Sequence, residues 1–241
     1  MPFVGSVEGK IAFGRATATG IPVSSDMLLY LDAGNRTSYS GTGTTWTDLS
    51  ANANNATSLN GVTYTSSNGG SLSFDGAGSG NLDVNKYNAP YTGKTVFVAG
   101  NLASALGIGV FRAFLGASAG PRNFNLYMYS PSSGVYRLHF SAGGFGGFSG
   151  NLSYTPGNWF TAAVTQATDK TTVYYFNGQQ VSQETMDFAQ FQSVLGSTEN
   201  VGRADNFWSG PLPILCVYKT ALTAAQILAN HNAVRGRYGL A

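Results

Sequence analysis

Short apolar runs separated by turn residues fill most of the chain, which is the spacing of a β-sandwich. Two of the runs alternate apolar and polar positions, as strands with one buried face do. In one of them Tyr136, Leu138 and Phe140 share a face opposite Arg137 and His139, so we expect His139 to be exposed. Strands are predicted at 27–31, 95–99, 123–128, 135–140, 159–165 and 171–176.

Local signals predict one hairpin turn and one helix. Asn177-Gly178 supplies the two positive φ angles that a tight hairpin turn requires. Thr223, with Gln226 three residues on, forms a capping box, which predicts the start of a short C-terminal helix. We expect Gly236 to end that helix. The pattern is therefore all-β with a single short helix.

The first 26 residues differ from the rest, because glycines and a proline separate scattered apolar residues. We interpret 1–26 as an N-terminal arm and 27–241 as one domain. A disordered leader is the alternative, but it would leave Ile11, Phe13 and Ile21 in water. We therefore predict that Ile11 and Phe13 contact a partner or a neighbouring subunit.

Composition excludes two classes of partner. The 13 basic and 11 acidic residues leave a net charge of +2, and the basic residues are scattered along the chain. Nucleic-acid binding requires a clustered basic face, and a membrane span requires about 20 consecutive apolar residues. Neither is present in the sequence. The first residues lack the pattern of a signal peptide, so we expect synthesis in the cytoplasm.

The single cysteine, Cys216, excludes an intramolecular disulfide. It lies in an apolar run, where a cysteine behaves as a small buried hydrophobe. The alternative role, a nucleophile, requires an activating base, and none is evident nearby in the sequence.

An ordered set of motifs resembles the concanavalin A-like, laminin-G-like domain family. The motifs are LYLDAGN at 29–35, TTWTDLS at 44–50, SLSFDG at 71–76, GNWFTAAVT at 157–165, TVYYFNG at 172–178 and VYKTALT at 217–223. The resemblance covers about 27–240 and implies a two-sheet antiparallel jelly-roll sandwich. In such a sandwich we expect Trp159 and Phe74 to fill the space between the sheets.

The segment 227–240 is similar to the ending of laminin-G-like proteins of tailed bacteriophages, where they are virion components. This resemblance implies a capsid decoration or appendage subunit, located in the virion and working as a homo-oligomer with other virion proteins, capsid proteins above all. The alternative is a carbohydrate-binding module or adhesin that recognises a surface glycan.

An enzyme is the weakest hypothesis. Glycoside hydrolysis requires two carboxylates flanking the scissile bond. The three glutamates, Glu8, Glu184 and Glu199, form no such pattern, and Glu184 and Asp187 fall on opposite faces of a strand. We therefore predict no catalytic residues.

No metal or cofactor site is predicted either. Members of the family often carry a second acid soon after the Phe-Asp-Gly motif, and here that acid is absent after Asp75. Asp83 could join Asp75 as a calcium ligand, but calcium prefers several carboxylates, so we predict no metal at this position.

The most unusual segment is the glycine-rich stretch 141–150. It is either a flexible hairpin tip or a contact surface on which Phe145 and Phe148 present aromatic anchors to a protein or a sugar. Together with Ile11 and Phe13, these two are the candidate contact residues.

Overall fold

The chain folds into an antiparallel sandwich, as the sequence predicts. The computed structural model describes residues 20–22, 24–76, 81–84, 93–116, 124–142, 145–186, 199–201 and 208–241. Within these ranges the strands are β1 (Met27–Asp32), β2 (Ala56–Asn60), β3 (Val62–Thr65), β4 (Ser71–Asp75), β5 (Asn81–Val84), β6 (Gly93–Asn101), β7 (Phe111–Gly116), β8 (Phe124–Ser132), β9 (Val135–Ala142), β10 (Phe145–Phe148), β11 (Trp159–Ala167), β12 (Thr171–Phe176), β13 (Gln179–Thr185), β14 (Glu199–Val201), β15 (Ser209–Leu212) and β16 (Ile214–Tyr218). One α-helix, α1 (Ala224–Tyr238), follows the last of them.

Two large sheets face each other. The six-stranded sheet has the order β1-β16-β6-β11-β12-β13, and the seven-stranded sheet has the order β10-β9-β8-β7-β14-β5-β2. A smaller sheet, β15-β4-β3, adds to the same core. All pairings among these strands are antiparallel, which confirms the predicted fold class.

The main core lies between the two large sheets. Phe160 and Phe176 of the six-stranded sheet pack there with Phe114 of the seven-stranded sheet and with Trp208. Phe74 belongs to this cluster, as predicted. The expectation for Trp159 is wrong. Because Trp159 precedes Phe160 on β11, it points to the opposite face of the sheet.

A second core covers the outer face of the six-stranded sheet, where α1 packs. It includes Ile227 and Val234 from the helix and Cys216 from the sheet, and Cys216 is fully buried as expected. Ile21, at the end of the predicted arm, is 3% exposed and packs in this cluster. Ile21 therefore has a place in the core that the sequence motifs did not indicate. The boundary at residue 26 stays a prediction.

Local signals predicted the turn and the start of the helix correctly, but not its end. Asn177 and Gly178 have φ angles of 49° and 76°. The Thr223–Gln226 capping box is formed. The helix continues through Gly236 to Tyr238 and ends at Gly239, which has the left-handed conformation that stops a helix (φ 66°). Among the described residues, no helix has the length and apolarity needed to span a membrane.

Candidate functional site

The outer face of the seven-stranded sheet carries a group of aromatic side chains. Four adjacent strands, β7 to β10, supply them, and we call this group the aromatic face: Phe111, Tyr127, Tyr129, His139 and Phe148. The alternation of each strand explains the placement, because the neighbouring residues Leu126, Met128, Leu138 and Phe140 point into the main core.

Three pairs of rings in the aromatic face are near-parallel, and one of them is Tyr127 with His139, whose centroids are 5.6 Å apart with 25° between the planes. The Phe148 and His139 centroids are 4.3 Å apart with 27° between the planes. The Phe111 and Tyr129 centroids are 4.2 Å apart with 22° between the planes. Phe148 also contacts Tyr129 in a tilted arrangement, with centroids 5.1 Å apart, so these pairs form one continuous surface.

Phe148 remains 39% exposed at the edge of this surface. Large apolar side chains gain free energy by leaving water, so an exposed ring supported by other rings indicates a contact surface. His139 is half-buried between its aromatic neighbours, and the expectation that it is simply exposed is wrong.

The protonation state of His139 follows from its surroundings. Its Nδ1 lies 2.9 Å from the Gly147 carbonyl oxygen, which can only accept, so Nδ1 carries the proton. Burial lowers the pKa of His139, against the opposing effect of that hydrogen bond. The imidazole is therefore neutral at pH 7, and its Nε2 is a hydrogen-bond acceptor within the aromatic face.

Gly146 makes room for this arrangement. It pairs with Ser141 across β9 and β10, next to the Phe148–His139 pair. A Cβ at position 146 would overlap His139 Cε1 and lie 3.0 Å from its Nε2. Any side chain here would displace the imidazole, so a glycine is required for the surface to stay open.

A cationic group lies beside the rings. Arg137 pairs with Tyr129 across β8 and β9, and its Nε donates a 2.8 Å hydrogen bond to Asn151 Oδ1. This bond fixes the guanidinium at the edge of the aromatic face and leaves its terminal nitrogens to donate to ligand oxygens.

The structure places one predicted contact residue, Phe148, in this surface. Phe145 lies in β10, but its side chain is outside the described part of the molecule. Ile11 and Phe13 lie outside the described residues altogether. Sequence reasoning missed Phe111, Tyr127 and Tyr129. The signal for the two tyrosines was their alternation with the core residues Leu126 and Met128.

Of the four carboxylates weighed for catalysis, the structure describes the side chain of Glu184 alone. Glu184 accepts a hydrogen bond from the Tyr174 hydroxyl, which is fully buried. Asp187 and Glu8 lie outside the described residues. Within the described ranges, no group of three or more His, Cys, Asp or Glu side chains could hold a metal ion.

Comparison with known proteins identifies the family. Residues 103–228 match the laminin-G-like family model described as the concanavalin A-like lectin/glucanases superfamily. The match spans more than half of the 241 residues, and the chain belongs to this family. No curated protein sequence matches the chain.

Similar solved structures share the fold at low sequence identity. Domain 4 of an extracellular GH43 arabinanase from Geobacillus stearothermophilus, solved with arabinotriose, has a TM-score of 0.63 at 14% identity, over 86% of this chain and 98% of that one. The binding domain of botulinum neurotoxin DC, solved with SialylT, has a TM-score of 0.65 at 12% identity, over 87% of this chain and 52% of that one.

An enzyme is also among the similar structures. The sialidase of Trypanosoma rangeli has a TM-score of 0.60 at 15% identity, over 90% of this chain and 33% of that one. This chain therefore spans about a third of the sialidase and about half of the toxin binding domain. At these identities the likeness shows the fold alone.

Proposed function

We propose that this domain binds carbohydrate without catalysis, and that the aromatic face is the binding surface. The observation that carries the proposal is the continuous set of contacting rings that ends in the exposed Phe148. Sugar rings present apolar C–H faces, and flat aromatic rings stack against such faces with little loss of side-chain entropy.

The polar groups of the surface suit the hydroxyl edge of a sugar. His139 Nε2 accepts a hydrogen bond, and the Arg137 guanidinium donates. Binding sites for small ligands combine a mostly apolar lining with a few placed polar groups of this kind. The Arg137 guanidinium would also attract the carboxylate of an acidic sugar.

The similar structures support a carbohydrate ligand. The arabinanase domain was solved with arabinotriose, and the comparison with this chain covers 98% of that domain. The toxin binding domain was solved with SialylT, although this chain spans only about half of it. These ligands define two classes to test first, neutral pentose oligomers and sialylated glycans.

A glycan array probed with the labelled full chain tests the proposal. We expect saturable binding to a related set of glycans, competed by the same glycan in solution. Absence of binding to every glycan on an array that includes arabinan oligomers and sialylated structures would overturn it.

The virion location predicted from the sequence remains a proposal, supported by the phage-like segment at 227–240. A glycan-binding appendage of a particle would combine both hypotheses. Mass spectrometry of purified particles from cells that express the chain tests this location. Recovery of the chain only in the particle-free fraction would contradict it.

A further inference from the structure

A cleft of about 560 Å³ lies where the loop 153–158, the β12–β13 turn and the end of α1 meet. Its volume is in the range of small-molecule sites. None of the residues that line it belongs to the aromatic face.

Hydrogen bonds fix the loop that forms one wall of the cleft. The Tyr154 hydroxyl accepts a bond from the Leu102 backbone N–H at 3.0 Å and donates one to the Asn158 carbonyl at 3.2 Å. The Asn101 side chain donates to the Gly157 carbonyl at 2.6 Å. A wall held in this way is organised before a ligand binds, which lowers the entropy cost of binding.

The rest of the lining includes an aromatic stack and an oriented amide. Trp159, which is half-buried, lies against Tyr238 of α1 with ring centroids 4.7 Å apart and 26° between the planes. Asn177 Oδ1 accepts a 2.9 Å bond from the Thr161 backbone N–H. That bond fixes the Asn177 amide and leaves its Nδ2 to donate to a ligand.

The lining of the cleft is neutral and mixes polar with apolar side chains. Serine, threonine, asparagine, tyrosine and tryptophan side chains line it together with Phe176 and Leu240, and no acidic or basic side chain does so among the described residues. The Asn158 side chain is exposed, and the hydrogen bonds of this residue within the described part of the chain are made by its backbone. A charged ligand would find no charged side chain in this lining, whereas a polyhydroxylated ring would find amides and an indole.

We propose that this cleft is a second binding site, specific for a neutral sugar residue, with Trp159 against the C–H face and the Asn158 and Asn177 amides on the hydroxyls. The site goes beyond the proposed function, because its contacts do not involve the aromatic face. Two separate sites on one domain would allow bridging of two glycan chains and an increase in avidity.

Tryptophan fluorescence tests this proposal directly. Of the three tryptophans, Trp46 and Trp208 are fully buried, so acrylamide reaches Trp159 alone. The probes are neutral mono- and trisaccharides with pentose, hexose and N-acetylhexosamine rings, each at about 10 mM, which exceeds a Kd of 1 mM about tenfold. We expect at least one probe to abolish most of the acrylamide quenching. Trp159→Phe serves as the control, because it removes the quenchable signal.

Variants separate this site from the aromatic face. Asn158→Ala changes an exposed side chain and should lose the protection, whereas Phe148→Ala should keep it. The proposal is overturned if no neutral sugar protects Trp159, if Asn158→Ala keeps full protection, or if Phe148→Ala abolishes it. Failure of the aromatic-face proposal has a different signature: sugar protects Trp159 and Phe148→Ala leaves all glycan binding unchanged.

Discussion

Asp32 and Arg237 are 205 positions apart and form a two-point ion pair, with both nitrogen–oxygen distances at 2.8 Å. Asp32 is 2% exposed at the end of β1, and Arg237 lies in the last turn of α1. The Asp32 carboxylate also accepts the Gly34 backbone N–H at 2.9 Å. This pair joins the helix to the edge strand of the six-stranded sheet.

Arg237→Gln should destabilise the domain by about 3–5 kcal/mol, because it leaves a buried carboxylate without its partner. Urea unfolding followed by fluorescence measures the change. Arg235→Gln is the matched control, since Arg235 is exposed in the same turn and should change stability by less than about 0.5 kcal/mol. Equal effects of the two substitutions would show that the ion pair contributes nothing.

Gly146→Ala should displace His139 and lower stability by about 1–3 kcal/mol, the usual cost of overpacking. Glycan binding should weaken with it, because the imidazole leaves the aromatic face. Gly150→Ala is the control: its Cβ would lie 3.5 Å from the nearest atom, an ordinary contact. If Gly146→Ala bound glycans with wild-type affinity, the position of His139 would not contribute to glycan binding.

Two histidines should make stability depend on pH in mildly acidic solution. Burial lowers the pKa of both His139 and His231, against weaker opposing hydrogen bonds to Gly147 and Ala241. Between the folded pKa and the unfolded value of about 6.5, the unfolded chain binds more protons. Stability is therefore full above about pH 6.5 and falls as the pH drops through the lower folded pKa values.

Urea unfolding measures this dependence in the wild type and in the double variant His139→Gln/His231→Gln. The pH runs from about 7.5 to about 5, which stays above the range where most carboxyl groups titrate. The slope of stability against pH is the readout, because His231 also bonds Thr161 at 2.8 Å and its loss costs stability at every pH. An unchanged slope in the double variant would assign the dependence to other groups.

The turn and the start of the helix were predictable because their signals are local, whereas the two-sheet sandwich was expected from the resemblance to the family. The capping box at Thr223 and the Asn177-Gly178 turn depend on neighbouring residues, and both are formed. The side of the sheet on which Trp159 lies was not predictable in this way. Strand β11 is buried on both faces, so alternation separates Trp159 from Phe160 without indicating which of them enters the main core.

The candidate site was predictable only in part, because it is built across strands. Phe148 was a candidate from its glycine-rich context, whereas Phe111 joins it only through the order of β7 to β10 in the sheet. Pairing order and register are long-range properties that a local pattern does not contain. The role of Gly146 also follows from the position of His139 across the strand pair rather than from flexibility of the loop.

The central claim is that Phe148 is part of a carbohydrate-binding surface, and calorimetric titration with the best glycan from the array tests it most directly. Phe148→Ala should weaken binding about tenfold or more, which corresponds to about 1.4 kcal/mol. Leu228→Ala is the matched control, because Leu228 is 37% exposed against 39% for Phe148 and lies on α1, away from the aromatic face. We expect Leu228→Ala to bind like the wild type. Wild-type affinity in Phe148→Ala, in a protein that unfolds normally, would contradict the account.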